Sequence, residues 1–186
     1  MEQIKWPFLK QTWGIEFESS KGAYLYTKDG RKILDAAGGA IVNNIGYGRE
    51  EVAEAISRAV INNSYILPPF LTPEREALLD ELRNHWLPSH LTRIHLSSGG
   101  SEANESAVKL AIQYQASRGK PEKNIILTRS LSYHGTTLNM SGISGHEARK
   151  RGLESYVPSP TTIETPYPLR CPLGSFHPVS YTHLRA

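Results

Sequence analysis

A Gly-Gly-Ser sequence stands between a short apolar run and a long stretch of helix-forming residues. The segment is Leu96–Glu105, and its turn contains Gly99, Gly100 and Ser101. Glycine lets the backbone bend sharply and lets a ligand approach closely, while the first helical turn offers unpaired N–H groups and a partial positive charge. We therefore predict that these three residues form a phosphate cradle, with the Ser101 hydroxyl as an additional donor. The alternative is a plain strand-to-helix connection with Ser101 as the N-cap.

A second loop, with an aromatic residue, follows the next predicted strand. We call it the aromatic loop; it is the segment Ser132–Thr137 and contains Tyr133, His134 and Gly135. A flat tyrosine ring can stack on a heteroaromatic ring, a histidine can hydrogen-bond the substituents of that ring, and glycine permits close approach. Taken alone, the same residues are more typical of a half-buried tyrosine and a structural histidine whose hydrogen bonds are satisfied.

The two loops together favour a single ligand. The carboxyl ends of parallel strands lie at one edge of a sheet, where ligands of open α/β sheets bind. Because one loop suits phosphate and the other suits a flat ring, the simplest ligand is a phosphorylated aromatic cofactor, such as pyridoxal 5'-phosphate (PLP). The sequence has neither G-x-x-x-x-G-K-[ST] nor G-x-G-x-x-G after a strand, so a nucleotide P-loop and a dinucleotide site are not indicated. It also lacks G-x-S-x-G, which argues against a hydrolase built on Ser101.

Alternating strands and helices must position the two loops. We predict strands at 93–96 and 125–128, with a helix between them that has an apolar stripe and ends near Gly119. Strand, helix and strand in this order form the βαβ unit of a parallel sheet, so the predicted fold class is α/β. The proline-rich segment after Val157 is predicted to be irregular coil.

The earlier part of the chain reads as a hairpin followed by two helices. Asp29-Gly30 is a strong turn signal between two short strand-like runs. Thr72-Pro73 suits the N-cap and the first position of a helix. The predicted elements are a hairpin over 23–35, a glycine-rich loop over 38–48, and helices over 49–62 and 72–86.

The composition is that of an ordinary globular protein. The chain has 186 residues, of which 39% are hydrophobic and 21% charged, and its net charge is +3. The basic residues do not cluster, so nucleic acid is not an expected partner. Cys171 is the only cysteine, which excludes an internal disulfide and fits a reducing compartment. No apolar run has the length of a signal peptide or a membrane span, so we expect a cytoplasmic protein without a membrane partner.

The residues of the two loops resemble those of the class III aminotransferases. Ser101–Ala111 is similar to the family's SGSEANE-A-KLA signature, and Tyr133–Gly135 is similar to its YHG segment. Residues 22–35 resemble the family's N-terminal hairpin. The resemblance extends over about residues 15–175, in the family's order and at plausible spacings.

This resemblance implies a PLP-dependent enzyme of fold type I that acts as a homodimer. The implied substrates are a small-molecule amino donor and a keto acid or aldehyde acceptor. By position, Gly100 and Ser101 hold the cofactor phosphate, with Gly99 one residue earlier in the same turn. Tyr133 stacks on the pyridine ring, and His134 lies behind the residues that touch the cofactor. An aminomutase on the same scaffold and a non-catalytic truncated product are the alternatives.

The resemblance also implies that part of the family's machinery lies outside this sequence. The Schiff-base lysine and the acid that holds the pyridinium proton follow the YHG segment in the family, and neither Lys109 nor Lys150 stands in such a motif. We therefore expect an N-terminal fragment that is inactive by itself. The expected division is residues 1–63 as part of the small domain, 64–178 as an incomplete PLP-binding large domain, and 179–186 as a non-native tail similar to a translated sequencing adaptor.

Overall fold

The computed structural model describes residues 14–165 and Tyr167. By their contacts the residues separate into two units, one that ends at His90 and one that begins at Leu91. The predicted division at residues 63 and 178 concerns the domains of the whole family fold and stays a prediction. The predicted tail at 179–186 and Cys171 lie outside the described residues. In the described part of the chain, every helix is too short or too polar to span a bilayer.

The first unit contains a three-stranded antiparallel sheet in the order β1-β2-β3. Its strands are β1 (Phe17–Lys21), β2 (Tyr24–Thr27) and β3 (Lys32–Leu34). Tyr24 of β2 stands opposite Leu34 of β3, so the hairpin predicted over 23–35 is confirmed. Gly30 in the connecting turn has a φ of 85°, a left-handed angle that glycine adopts without strain. The sequence pattern does not predict β1, because the run FESSK has no alternation of apolar and polar residues.

Helices make up much of the remainder of this unit. They are α1 (Gly38–Ile41), α2 (Glu50–Asn62) and α3 (Pro73–Glu81), and a π-helical turn (Leu82–Trp86) continues the last of them. The side chain of Thr72 accepts a hydrogen bond of 3.3 Å from the backbone N–H of Arg75 and caps α3. The helices predicted over 49–62 and 72–86 are thus confirmed. The single turn α1 lies within the predicted loop and has left-handed backbone angles at its centre.

Asp35 holds the loop that contains α1. Its carboxylate accepts hydrogen bonds from the backbone amides of Ala37 (3.0 Å) and Gly39 (2.7 Å) and from the hydroxyl of Tyr47 (2.7 Å). The hydroxyl of Tyr47 is the largest of the causes that lower the pKa of the Asp35 carboxyl. Hydrogen bonds to an ionised acceptor are stronger than neutral ones, so this carboxylate ties the end of the hairpin to the loop.

In the residues that the structure describes, the second unit combines a parallel strand pair with three helices. The elements are α4 (Gly100–Ser117), β4 (Leu127–Arg129), α5 (Leu138–Ile143), α6 (Glu147–Lys150) and β5 (Thr161–Ile163). β4 and β5 pair in parallel, with Leu127 opposite Thr161, and α5 and α6 lie between them in the sequence. The predicted α/β class with a parallel sheet is therefore confirmed, and so is the helix that ends near Gly119.

One strand prediction and one coil prediction in this unit are wrong. Residues 93–96 have no regular structure, so the predicted βαβ unit around α4 does not form. The predicted coil after Val157 contains β5, which is the parallel partner of β4. The second predicted strand exists but begins later than residue 125, at Leu127. A strand forms only where a neighbouring strand takes up its backbone hydrogen bonds, and within the described residues no such neighbour lies beside 93–96.

The buried side chains of the second unit surround the start and end of the aromatic loop. Met140 and Ile143 of α5 are its buried large apolar residues in the described part of the chain. Thr128 of β4 and Ser144 after α5 are buried polar residues. The hydroxyl of Ser144 donates a hydrogen bond of 2.7 Å to the carbonyl oxygen of Met140, so its polarity is satisfied. The loop between β4 and α5 therefore begins and ends beside these buried side chains.

Candidate functional site

Helix α4 begins one residue before the serine of the Gly-Ser turn. Gly99 is the N-cap, with extended backbone angles (φ −172°, ψ 168°). Ser101 lies inside the first helical turn, so the alternative assignment of Ser101 as the N-cap is wrong. The first bond of the helix runs from the amide of Ala103 to the carbonyl of Gly99 (3.0 Å). The amides of Gly100, Ser101 and Glu102 precede that bond and point out of the helix end, where an anion can accept from them.

Glu102 bends back onto the segment before the helix. Its carboxylate accepts hydrogen bonds from the backbone N–H of Ser98 (3.1 Å) and from the Ser98 hydroxyl. These two bonds, with the hydroxyl first, lower the pKa of the Glu102 carboxyl. A carboxylate near the start of a helix also interacts favourably with the helix dipole. Glu102 therefore stabilises the turn in its ionised form.

The aromatic loop packs directly against Ser101. The backbone amide of Thr136 donates a hydrogen bond of 3.0 Å to the Ser101 hydroxyl oxygen. Gly135 is buried, with a φ of 144°, and a Cβ atom at this position would lie 2.5 Å from the Ser101 Oγ. Only glycine therefore fits here without displacing its neighbours. The structure thus brings the predicted phosphate turn and the predicted aromatic loop together.

One face of α4 holds the aromatic loop at further points. The side-chain amide of Asn104 donates to the carbonyl oxygen of His134 (2.7 Å). The carboxylate of Glu105 accepts from the Thr137 hydroxyl (2.5 Å) and from the Asn139 side-chain amide (2.7 Å). These bonds, with that of the Thr137 hydroxyl first, lower the pKa of the Glu105 carboxyl. We call Ser101, Asn104 and Glu105 the α4 clamp.

His134 is engaged within the protein. Its ring Nε2 lies 3.0 Å from the hydroxyl of Thr128, which is itself buried in β4. Its backbone amide donates a hydrogen bond of 2.9 Å to the hydroxyl of Ser144. With the bond from Asn104, the side chain, the N–H and the carbonyl of His134 all have partners. This histidine is placed to hold the loop against β4 and α5.

Tyr133 stands at the surface of the second unit. Its side chain is 53% exposed. The guanidinium carbon of Arg149 lies 5.0 Å from the centre of its ring, a cation–π geometry, and the His146 ring meets it edge-on with the centres 6.2 Å apart. A half-exposed ring that is held by a guanidinium over one face and by a second ring edge-on can stack on a flat ligand.

Several of these contact residues are not among the site residues that the sequence predicts. They are Asn104, Glu105, Thr137, Asn139 and Arg149. The spacing of Ser101, Asn104 and Glu105 at i, i+3 and i+4 is a signal that one helix face carries all three. The sequence does not identify the partners of that face, because they lie about 30 residues further along the chain.

Lys109 and Lys150 take no part in the hydrogen bonds between α4 and the aromatic loop. Lys109 is on α4, two turns beyond Ser101, at an exposed position. Lys150 at the end of α6 binds Glu147, with 2.9 Å between its Nζ and a carboxylate oxygen. Neither stands among the groups that hold the two loops together.

A family model described as aminotransferase class-III matches residues 10–177. A probable aminotransferase of Mycobacterium tuberculosis is 36% identical over 153 residues, which is 82% of this chain and 33% of that protein. A putrescine–pyruvate aminotransferase of Pseudomonas aeruginosa is 29% identical over 149 residues, covering 80% of this chain and 33% of that one. The chain thus spans about a third of the length of the curated relatives it matches.

Solved structures of transaminases share the fold. An amine transaminase from an uncultivated Pseudomonas species, in its PLP-bound form, superimposes with a TM-score of 0.87 at 25% identity, covering 98% of this chain and 43% of that one. An (S)-enantioselective omega-transaminase of Thermomicrobium roseum gives a TM-score of 0.79 at 28% identity, over 86% of this chain and 36% of its own. Both solved structures thus share the fold of this chain, which covers less than half of the length of each.

Proposed function

Because the chain belongs to the class III aminotransferase family, we propose that its residues serve a PLP-dependent amino-group transfer. The reaction moves an amino group from an amine or amino acid to the cofactor and then to a keto acid or aldehyde. When bound, PLP supplies the carbonyl that takes up the amino group and an electron-withdrawing ring. We further propose that the enzyme acts as a homodimer in the cytoplasm, with active sites at the subunit interface.

The hydrogen bond from Thr136 to Ser101 is the observation that carries this proposal. It joins a helix end suited to phosphate to a loop that presents an exposed tyrosine ring. In the proposed site the amides of Gly100 and Ser101 bind the phosphate, Gly99 gives the anion access, and the Ser101 hydroxyl donates a hydrogen bond to a phosphate oxygen. That donation is compatible with the observed bond, because the Ser101 oxygen accepts from Thr136 and keeps its own hydrogen.

The other two predicted residues have separate roles in the proposed site. Tyr133 offers the face of its ring to the pyridine ring, which excludes water from that side of the cofactor. His134 acts indirectly: its bonds to Thr128 and Ser144 set the position of the loop from which Tyr133 projects. The residues present therefore suit the phosphate and the ring of PLP, while the lysine expected by family resemblance is not among them.

Binding of the cofactor by the 186-residue chain tests this proposal. The chain is titrated with PLP, with pyridoxal and with inorganic phosphate, and the quenching of its intrinsic fluorescence is followed. We expect PLP to bind at least about 10-fold more tightly than pyridoxal, because hydrogen bonds to a charged group contribute roughly 1.5–3 kcal/mol. Equal affinities for PLP and pyridoxal would contradict a phosphate site at Gly100 and Ser101.

Borohydride reduction separates binding from covalent chemistry. The complex formed at one equivalent of PLP is reduced, digested and analysed by mass spectrometry. We expect no stoichiometric adduct at Lys109 or Lys150, since neither lysine stands in the motif that carries the Schiff-base lysine in the family. A single lysine modified in full would show that the reactive group lies within these residues, against the expectation from the family motifs.

A further inference from the structure

The α4 clamp places three side chains of one helix face on three successive parts of the aromatic loop. Ser101 accepts from the amide of Thr136, and Asn104 donates to the carbonyl of His134. The carboxylate of Glu105 accepts a hydrogen bond from the hydroxyl of Thr137, the residue after Thr136. The loop is therefore bound to the helix at almost every residue after Tyr133.

Glu105 also connects the helix to the start of α5. Thr137 is the N-cap of α5, because its hydroxyl oxygen accepts from the amide of Met140 (3.3 Å) while its hydrogen goes to Glu105. Asn139, in the first turn of α5, donates to the same carboxylate. One ionised side chain thus fixes both the end of the loop and the beginning of the next helix, and charge-assisted bonds of this kind are the stronger ones.

Tyr133 depends on its neighbours for its position. Among the described residues no hydrogen bond of its own backbone or hydroxyl is found, and its ring makes a cation–π contact with Arg149 and an edge-on contact with His146. The residues that follow it are the ones that α4 holds. The same helix provides, at its N-terminus, the amides of the phosphate turn. A displacement of the clamp would therefore move the ring relative to those amides.

We infer that Asn104 and Glu105 are positioning residues that hold the Tyr133 ring in register with the phosphate turn, so that both ends of one cofactor are gripped at once. This inference rests on the proposed function. It assigns no contact with the cofactor to either residue. Their effect is a coupling between the ring end and the phosphate end of the site.

A double-mutant cycle on the 186-residue chain tests the coupling. The variants are Tyr133→Ala, Glu105→Ala and the double substitution, and the dissociation constant of PLP is measured for each. Contacting or connected residues couple by about 0.5–3 kcal/mol, so we expect Tyr133→Ala to weaken PLP binding at least about 2-fold more in the original chain than in the Glu105→Ala chain. A merely structural role of Glu105 would leave the two effects equal.

Conservative variants show whether a reduced coupling comes from the lost contact or from a loss of folding. Glu105→Gln retains an acceptor oxygen for one of the two donors, and we expect it to restore part of the coupling. Asn104→Ala removes only the bond to His134 and should reduce the coupling through a separate contact. Glu122→Ala is the matched control, because Glu122 is an exposed acid beyond the end of α4. Circular dichroism establishes that the helical content of each variant is unchanged.

The outcomes distinguish this inference from the proposed function. If the original chain binds PLP and the cycle is additive for both Glu105→Ala and Asn104→Ala, the clamp does not position the ring and the inference is overturned. If the original chain does not distinguish PLP from pyridoxal, the cofactor assignment fails and the inference falls with it.

Discussion

The backbone amide of Thr136 donates a hydrogen bond of 3.0 Å to the hydroxyl oxygen of Ser101, which lies 35 residues earlier in the chain. This bond joins a helix N-terminus to a tyrosine-bearing loop, which Asn104 and Glu105 of the same helix also hold. It also orients the serine, because an oxygen that accepts from a backbone amide directs its own hydrogen elsewhere.

Removal of the Ser101 hydroxyl should weaken the cofactor site. In Ser101→Ala, the phosphate loses one donor and the amide of Thr136 loses its acceptor. We expect PLP to bind about 10-fold more weakly, by the usual contribution of a hydrogen bond to a charged group. The measurement is the same fluorescence titration. Ser117→Ala near the end of α4 is the control, because its hydroxyl bonds only to the carbonyl of Tyr114 (2.9 Å); an equal loss in both variants would refute the assignment.

A side chain at residue 135 should destabilise the second unit. In Gly135→Ala, the new Cβ would meet the Oγ of Ser101 at 2.5 Å and the Cβ of Met140 at 3.0 Å. Overpacking of this kind costs about 1–3 kcal/mol. Gly119→Ala separates this clash from backbone strain, since Gly119 has a φ of 72° but open space around it. Urea unfolding should show the larger loss for Gly135→Ala, and equal losses would mean that the contact with Ser101 is loose.

Acid should weaken the bonds of Glu105. Its pKa in the folded chain is lowered, first by the Thr137 hydroxyl and then by Asn139, so the stabilisation is present above the ordinary value near 4.5. It is lost as the pH falls through the lower, folded value. Glu105→Gln lacks this dependence. The difference in unfolding free energy between the original chain and Glu105→Gln should therefore shrink below pH 4.5, and a difference that stays constant to lower pH would contradict the shift.

The first unit should depend on the bond between Tyr47 and Asp35. Tyr47→Phe removes the 2.7 Å hydrogen bond to the carboxylate and leaves the ring in place. Because this hydroxyl contributes most to the lowered pKa of Asp35, the pKa of that carboxyl should rise toward its ordinary value. Carboxyl NMR titration measures this, and Tyr65→Phe at an exposed position is the control. An unchanged Asp35 titration would show that the backbone amides alone hold the carboxylate.

The isolated chain should self-associate. Large apolar side chains are exposed in both units, among them Ile61, Tyr65 and Leu110. Extensive exposed apolar surface drives association in water. We expect concentration-dependent sedimentation and binding of a hydrophobic dye by the 186 residues. Monomeric sedimentation with a cooperative thermal transition would contradict this.

Local signals predicted the three longest helices of the described residues and the hairpin. Asp29-Gly30 predicted the turn of the hairpin, and Thr72-Pro73 predicted the start of α3. The apolar stripe after the Gly-Ser turn predicted α4. Each of these signals acts within a few residues, because caps, turns and helical spacing satisfy backbone groups of the same segment. Residues 93–96 show the limit of this reasoning, since a strand-like composition does not supply a partner strand.

The amino-acid sequence by itself predicted which residues of the Gly-Ser turn and of the aromatic loop suit a phosphate and a flat ring. It also carried the resemblance that links these residues to PLP enzymes. Tertiary structure alone decided that β4 pairs with β5 and that α4 grips the loop through Asn104 and Glu105. It also decided that His134 turns toward Thr128. These contacts join residues that are far apart in the sequence or whose side chains are oriented only by packing. The free energy of each contact depends on distances in space, and no local sequence pattern encodes those distances.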